Sequence, residues 1–295
     1  MYSFPFLVLT LASATAASGA LPEVHFDPGY PALPVAKHSA PLVAPLLLAE
    51  GKRSGPRLTY LVSLKEAGAD AARAGSGLDT LLADLDARGA RIVHVYSHAL
   101  HGFAAELDAA TLDWLRMRPE VALVEQDVEH AFASTAGTQL DQPAGSLPWG
   151  LDRIDQRSAT GDGVFRYQNR GESAHVYVID SGIRGSHAEF RGSDGRSRVT
   201  PVWNAVAGNA LDTTEDSCAP TSYPQLGHGT SVASVVGGVT TGVAKSARLY
   251  AIKTSECGQG MTTAVLVEAL DRALQHIEAN RNYPAVVNFS IGTSN

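Results

Sequence analysis

The chain has 295 residues, with 30 acidic and 23 basic side chains, so its formal charge is −7. Hydrophobic residues make up 44% and charged residues 18%, which excludes a disordered chain, and the negative charge disfavours nucleic-acid and anionic-membrane partners. Two cysteines are too few for a disulfide scaffold or a four-cysteine zinc site, but they suffice for one disulfide bond. The length predicts about two domains.

Residues 1–20 have the pattern of a secretory signal peptide. An apolar run at 5–17 is followed by small residues, with cleavage expected after Ala16 or Ala20. The alternative interpretation is a short buried helix. Residues 21–56 contain repeated prolines and no sustained period, which is typical of an extended linker or pro-segment.

Residues 57–133 alternate strand and helix patterns in the order βαββαβ. This order predicts a small α+β domain with a ferredoxin-like fold. One helix carries leucines at i, i+3, i+4 and i+7, and a second begins at Asp108 and ends before Pro119. The predicted strands cover residues 59–65, 92–96, 102–106 and 121–125.

A second domain, of α/β class, is predicted over residues 139–295. Apolar strands are expected at residues 175–179, 249–253 and 285–289, with a helix at 262–279. Strand and helix alternation implies right-handed βαβ units and a parallel sheet. Ligands of such sheets bind beyond the carboxyl ends of the strands, where Asp180 and Ser290 both lie.

Two residues stand out as catalytic candidates. Asp180 follows a strand predicted to be buried, where a carboxylate is costly without a partner. The alternative is a helix-capping or turn aspartate, since Asp-Ser-Gly is a common turn tripeptide. His228 lies between glycines at the expected start of a helix, where the helix dipole favours the neutral imidazole that a general base requires. A structural histidine is the alternative. The order Asp, then His, excludes the chain order of chymotrypsin and of the α/β-hydrolases.

The second predicted domain contains seven motifs in order: Pro148-Trp-Gly-Leu-Asp-Arg-Ile154, Val176-Tyr-Val-Ile-Asp-Ser-Gly-Ile183, His187-Ala-Glu-Phe190, Gly227-His-Gly-Thr230, Gly242-Val-Ala-Lys245, Leu249-Tyr-Ala-Ile-Lys253 and Asn288-Phe-Ser-Ile-Gly292. In these motifs the chain resembles the subtilisin-like serine proteases, closest to their proteinase K and aqualysin-type branch. Residues 96–127 resemble the inhibitor-type prodomain of that family.

The resemblance implies a subtilisin-like doubly wound parallel sheet, incomplete here, preceded by the prodomain. It implies that Asp180 and His228 are catalytic, and that the prodomain packs on the peptidase domain and leaves its tail, from Val128 to about Thr138, in the active-site cleft. Both domains are net negative, so overall charge complementarity does not explain the docking.

In the family, a peptide substrate adds as a strand between two backbone segments. The matching residues are Gly258, Gly260, Ser290 and Gly292. By resemblance, Cys218 and Cys257 form a disulfide bond. The long spacing between Asp180 and His228 leads us to expect an enlarged loop within residues 191–226.

The triad serine is not found in the sequence. Ser294 lies in Gly-Thr-Ser, as the family nucleophile does, but the segment around it matches the substrate strand instead. We therefore expect a C-terminally truncated chain that lacks the nucleophile and the oxyanion-hole Asn, and that is inactive as given.

The expected function is that of a secreted serine endopeptidase precursor with polypeptide substrates. No cofactor is expected for the chemistry and no metal-binding residues are assigned; structural calcium is expected only from the family, without identified ligands. The chain is expected to be a monomer that binds neither nucleic acid nor membrane. The alternative is an inactive product that binds and inhibits a related protease through its prodomain.

Overall fold

The computed structural model describes residues 10–11, 43–48, 55–65, 74–132, 147–157, 160–210, 212–214, 227–256 and 260–292. The described residues form three sheets and five α-helices. Among them, no helix has the length and apolar character needed to cross a bilayer. Of the expected signal peptide, only the backbone of β1 (Thr10–Leu11) is described, and it pairs antiparallel with the strand at residues 285–286.

The N-terminal domain has the predicted βαββαβ order. Its sheet has the strand order β2-β6-β3-β5-β4. The elements are β2 (Leu46–Leu47), β3 (Leu58–Leu64), α1 (Ala74–Ala87), β4 (Arg91–Tyr96), β5 (Gly102–Leu107), α2 (Ala109–Arg116) and β6 (Val121–Gln126). As predicted, Asp108 caps α2, its Oδ1 accepting the Thr111 N–H at 2.8 Å.

The proline-rich segment contributes a strand that the sequence did not predict. Leu46 and Leu47 pair in parallel with β6, and Ala44 is buried in the domain core. The Ala44 carbonyl accepts the Arg116 Nε–H at 3.0 Å. The last part of the expected linker therefore belongs to the domain that follows it.

Both faces of the N-terminal sheet are buried. Side chains of adjacent strand residues point to opposite faces. Tyr60 and Val62 pack against α1 and α2, whereas Leu61 and Ala104 pack on the other side against Ala264 of the C-terminal domain. A sheet that buries its second face in this way is docked on a partner surface, here the longest helix of the C-terminal domain.

The C-terminal domain is a doubly wound parallel sheet, as predicted. Four parallel strands have the order β12-β8-β10-β9. In chain order its elements are α3 (Trp149–Ile154), β8 (His175–Asp180), β9 (Val199–Asn204), α4 (His228–Gly237), β10 (Arg248–Lys253), β11 (Met261–Thr262), α5 (Thr263–Ala279), β12 (Ala285–Phe289) and β13 (Ile291–Gly292), with a short 3₁₀ helix at Ala188–Phe190. Strand β7 (Glu129–Phe132) comes from the tail of the N-terminal domain.

The helices α4 and α5 cover opposite faces of this sheet. Val176 and Val178 of β8 pack toward α4, whereas Tyr177 and Ile179 pack toward α5. Every residue of β8 is buried, as expected for a central parallel strand.

Strand β9 was not predicted, because its residues lie within the stretch where we expected an enlarged loop. It contains Pro201, which is compatible with a strand only at an edge, and β9 is the edge strand of this sheet. The enlarged loop itself stays a prediction, since residues 215–226 lie outside the described part of the chain.

Candidate active site

Asp180 and His228 lie together at the carboxyl edge of the parallel sheet. Asp180 is the last residue of β8 and has no exposed surface. Its Oδ1 lies 2.8 Å from His228 Nδ1 and also accepts the Ser181 N–H at 2.7 Å. The carboxylate thus fixes the imidazole orientation and favours the tautomer with the proton on Nδ1.

The start of α4 holds His228 against this carboxylate. Gly227 has φ +79°, a left-handed conformation that few residues other than glycine adopt, and it turns the chain into the helix. A Cβ on Gly229 would overlap the carbonyl oxygen of Gly182 and crowd Asp180. The Gly229 N–H donates to Ser181 Oγ at 3.1 Å. Small residues here allow the helix terminus to approach the strand end.

The loop after β10 supports the same edge. Thr254 donates both its N–H (2.8 Å) and its hydroxyl (3.1 Å) to the Asp180 carbonyl. Lys253 pairs in register with Asp180 and is fully buried, with Nζ 2.8 Å from Glu256 Oε2 and 3.1 Å from the Thr214 carbonyl. No local pattern in the sequence indicates this buried role of Lys253.

A strand of the chain itself fills a groove next to this edge. Strand β7 lies between β11 and β13 and pairs antiparallel with both. His130 is opposite Met261 and Glu129 opposite Thr262, while Ala131 is opposite Gly292 and Phe132 opposite Ile291.

Of the residues expected to bind substrate, Gly260 and Gly292 lie beside this strand. A Cβ on Gly260 would lie 3.1 Å from the His130 carbonyl oxygen, which explains the glycine. Gly292 has open space around it, so close approach does not explain that glycine. Ser290 directly precedes β13, and its Oγ accepts the Asn288 Nδ2–H at 3.0 Å. Gly258 lies outside the described residues.

The tail before β7 contacts the first turn of α5. The Thr263 N–H donates to the Val128 carbonyl at 2.9 Å, and the Ala264 N–H donates to Asp127 Oδ1 at 3.0 Å. A carboxylate is favourable at a helix N-terminus, where free N–H groups and the helix dipole meet it.

A second carboxylate, that of Asp271 in α5, binds a turn of the N-terminal domain. Asp271 Oδ1 accepts the N–H groups of Ser97 (2.9 Å), His98 and Ala99 (2.9 Å). Burial would raise the pKa of Asp271, but these amides and the nearby His98 hold it below its ordinary value. Three donors on one buried carboxylate make this the most densely bonded contact described between the domains.

Two histidines of the N-terminal part also face the C-terminal domain. Burial lowers the pKa of His94, against the attraction of Glu268 and Asp127, and Arg272 lowers it further. Burial likewise lowers the pKa of His130. Sequence reasoning missed these interface residues, although the apolar pattern on both faces of β3 and β5 could have indicated a docked sheet.

Two further predictions concern the disulfide bond and structural calcium. Cys218 and Cys257 both lie outside the described residues, so the disulfide bond stays a prediction. Among the described residues, no group of three or more His, Cys, Asp or Glu side chains is arranged to hold a metal ion. Asp152 directs its carboxylate to the backbone N–H groups of Asp162 and Gly163, each at 3.1 Å. Structural calcium therefore stays a prediction from the family.

Comparison with known families gives two matches. The model of the peptidase inhibitor I9 family matches residues 59–132, and that of the subtilase family matches residues 171–295.

Curated relatives agree with these matches. The chain is 38% identical over 214 residues to the extracellular serine proteinase of Thermus sp. (strain Rt41A), covering 72% of this chain and 45% of the relative. It is 32% identical over 253 residues to proteinase R of Parengyodontium album, covering 84% and 55%. The chain thus spans about half the length of these two relatives. A solved cold-adapted subtilisin-like serine proteinase is 31% identical, with a TM-score of 0.38 over 44% of this chain and 42% of that one.

Proposed function

Because the chain belongs to the subtilase family and carries an inhibitor I9 domain ahead of its peptidase residues, we propose that it functions as the precursor of a secreted serine endopeptidase. That endopeptidase hydrolyses peptide bonds by an Asp-His-Ser triad, to which this chain contributes Asp180 and His228. The observation that carries the proposal is the 2.8 Å contact between Asp180 Oδ1 and His228 Nδ1 at the carboxyl edge of the sheet.

The proposed roles follow from that contact. With Nδ1–H bound to Asp180, His228 takes the proton from a serine hydroxyl at Nε2 as the serine attacks the peptide carbonyl. His228 then returns the proton to the leaving amine. Asp180 stays ionised throughout and stabilises the imidazolium that forms.

Peptide substrates bind, in this proposal, as β7 does. Strands β11 and β13 offer backbone N–H and C=O groups on both sides of one groove, and an antiparallel strand satisfies both edges. The position of residues 129–132 therefore supports two proposals. The groove binds peptides, and the chain's own strand inhibits it before processing.

The 295-residue polypeptide itself is proposed to be inactive. Without the triad serine no acyl-enzyme forms. Among the serines after His228, the Ser290 hydroxyl contacts Asn288, and Ser294 lies outside the described residues. Secretion, the disulfide between Cys218 and Cys257, and a monomeric state belong to the same proposal, and an extracellular relative supports the first of these.

Expression of the chain tests the inactivity. We expect an unchanged intact mass and no hydrolysis of a fluorogenic peptide. Cleavage between the two domains, or turnover of the peptide that is lost in His228→Ala, would refute it.

The coding DNA beyond Asn295 tests the triad. If the frame continues to a Gly-Thr-Ser-x-Ala sequence, the product should hydrolyse peptides, and Asp180→Asn should lower kcat by about 10⁴-fold. Full activity of that variant would refute the role of Asp180.

A stop codon would favour the alternative function, a product that inhibits a related protease in trans. For such inhibition β7 must first leave the groove of its own chain, since it occupies that groove in the structure. Adding the chain to an active subtilase would show inhibition, and deletion of residues 128–132 would abolish it.

A further inference from the structure

The side chain of His130 is held by a residue that takes no part in the pairing of β7. His130 Nε2 lies 2.8 Å from the hydroxyl Oγ1 of Thr263. The imidazole is half-buried, and burial lowers its pKa against the opposing effect of Asp127 and Glu125. At any pH above the ordinary histidine pKa of about 6.5 the ring is therefore mainly neutral, with one donor and one acceptor nitrogen. A hydroxyl can donate or accept, so Thr263 suits either tautomer.

Thr263 is fixed in place by its backbone. It is the first residue of α5, and its N–H donates to the Val128 carbonyl at 2.9 Å. The next amide, of Ala264, is bound to Asp127. The Thr263 hydroxyl therefore faces the side chain at position 130, whichever residue the bound strand carries there.

Backbone pairing in the groove does not distinguish one residue from another. The pairs of β7 with β11 and β13 involve only main-chain groups, and Gly260 offers no side chain to the bound strand. Selection at this position must come from side-chain contacts, and the contact described for His130 is polar.

We propose that Thr263 is a specificity-determining residue: its hydroxyl selects an uncharged hydrogen-bonding side chain at the peptide position that pairs with Met261. Histidine, glutamine and asparagine fit this position. An apolar side chain leaves the hydroxyl without a partner in a half-buried site, and a carboxylate meets Asp127 and Glu125. The inference rests on the proposed function, in which β7 occupies the position of a peptide substrate.

Because β7 of the chain already occupies the groove, the side-chain preference at position 130 can be measured in the full-length polypeptide. Amide hydrogen exchange at residues 129–132 reports how often β7 leaves the groove. We expect His130→Gln to exchange within about twofold of the unmodified chain, and His130→Leu to exchange roughly two- to tenfold faster, as the loss of one hydrogen bond predicts.

Substitution of Thr263 should abolish the preference for histidine or glutamine over leucine at position 130. In Thr263→Val, His130→Leu should protect β7 at least as well as histidine does, while Thr263→Ser should restore the original order. Exchange at β8 serves as the folding control. If Thr263→Val does not fold, the comparison of His130→Gln with His130→Leu beside the native Thr263 decides the question.

Two failures can be told apart. Equal protection by leucine and glutamine at position 130, with β7 still protected, would overturn the role of Thr263 and leave the groove intact. Absence of protection at residues 129–132 in the unmodified chain would overturn both the proposed function and this inference.

Discussion

Asp180 and His228 are 48 residues apart in the chain, yet their side chains meet at 2.8 Å where β8 ends and α4 begins. Asp180 is the last residue of β8 and its carboxylate is fully buried, while His228 is the first residue of α4. Because Asp180 is fully buried, its partner is a requirement of the fold as well as of the proposed chemistry.

The amide variant Asp180→Asn should uncouple the pair while keeping its shape. Loss of a charge-assisted hydrogen bond should cost about 1.5–3 kcal/mol of unfolding free energy. Urea unfolding measures this cost. The exposed Asp194→Asn, which removes the same charge elsewhere, is the control and should change stability by less than about 0.5 kcal/mol. Equal effects of the two variants would contradict the pairing.

A methyl group at position 229 should separate the same two residues. In Gly229→Ala the new Cβ would overlap the Gly182 carbonyl oxygen and crowd Asp180, so α4 must shift away from β8. We expect a loss of about 1–3 kcal/mol of unfolding free energy, typical of overpacking. Gly150→Ala, where a Cβ meets nothing within 4 Å, is the matched control. Equal stability of the two variants would contradict the close approach of α4 to β8.

The contact of Asp271 with the 97–99 turn should dominate the docking of the N-terminal domain. Asp271→Ala leaves three amides without their acceptor, and we expect a loss of about 2–5 kcal/mol of docking free energy. Amide exchange at residues 97–99 gives the measurement.

Glu278→Ala is the control for that experiment. Glu278 is more than half exposed and lies 3.7 Å from His98 Nε2, so its removal should cost less than about 1 kcal/mol. A larger effect at Glu278 than at Asp271 would show that the docked geometry is wrong.

Acidification should weaken docking. Burial on docking lowers the pKa of His94 and His130, so the docked form binds fewer protons than the separated domains. Docking is therefore strongest above the ordinary histidine pKa of about 6.5 and weakens as the pH falls below it, by at most about tenfold per pH unit for each histidine. The depressed pKa of Asp271 adds a second loss, below about pH 4.

Sedimentation of a chain cut between Phe132 and Leu147 would measure this dependence. The double variant His94→Gln/His130→Gln should remove the loss between pH 7 and 5 and keep the one at lower pH. An association constant that stays flat or rises on acidification would contradict the assignment.

The sequence predicted those elements whose signals are local. The leucine spacing of α1, the Asp108 cap of α2 and the apolar run of β8 each specify an element without reference to the rest of the chain, and all three are found. The neighbourhood of Asp180 and His228 followed from motif order, because both residues lie at element ends that the parallel sheet brings to one edge.

The missed features are those that depend on a partner far away in the chain. Strand β2 is two residues long and exists because β6 offers an edge, and β9 has a half-exposed, proline-containing sequence that only its place beside β10 explains. Asp271 looks like an ordinary helix residue until the 97–99 turn meets it. Such residues carry no local pattern.

Residues 129–132 of the chain occupy the groove between β11 and β13, where a peptide substrate is proposed to bind, and a disulfide test addresses this occupancy most directly. Directly opposed antiparallel residues have Cα atoms about 4.5–5.5 Å apart, within the reach of a disulfide bond. The pair Ala131→Cys/Gly292→Cys, opposite each other in β7 and β13, should crosslink under mild oxidation, as shown by peptide mapping. The register control Ala131→Cys/Asn288→Cys should not. Crosslinking of the control pair, or none at positions 131 and 292, would contradict the account.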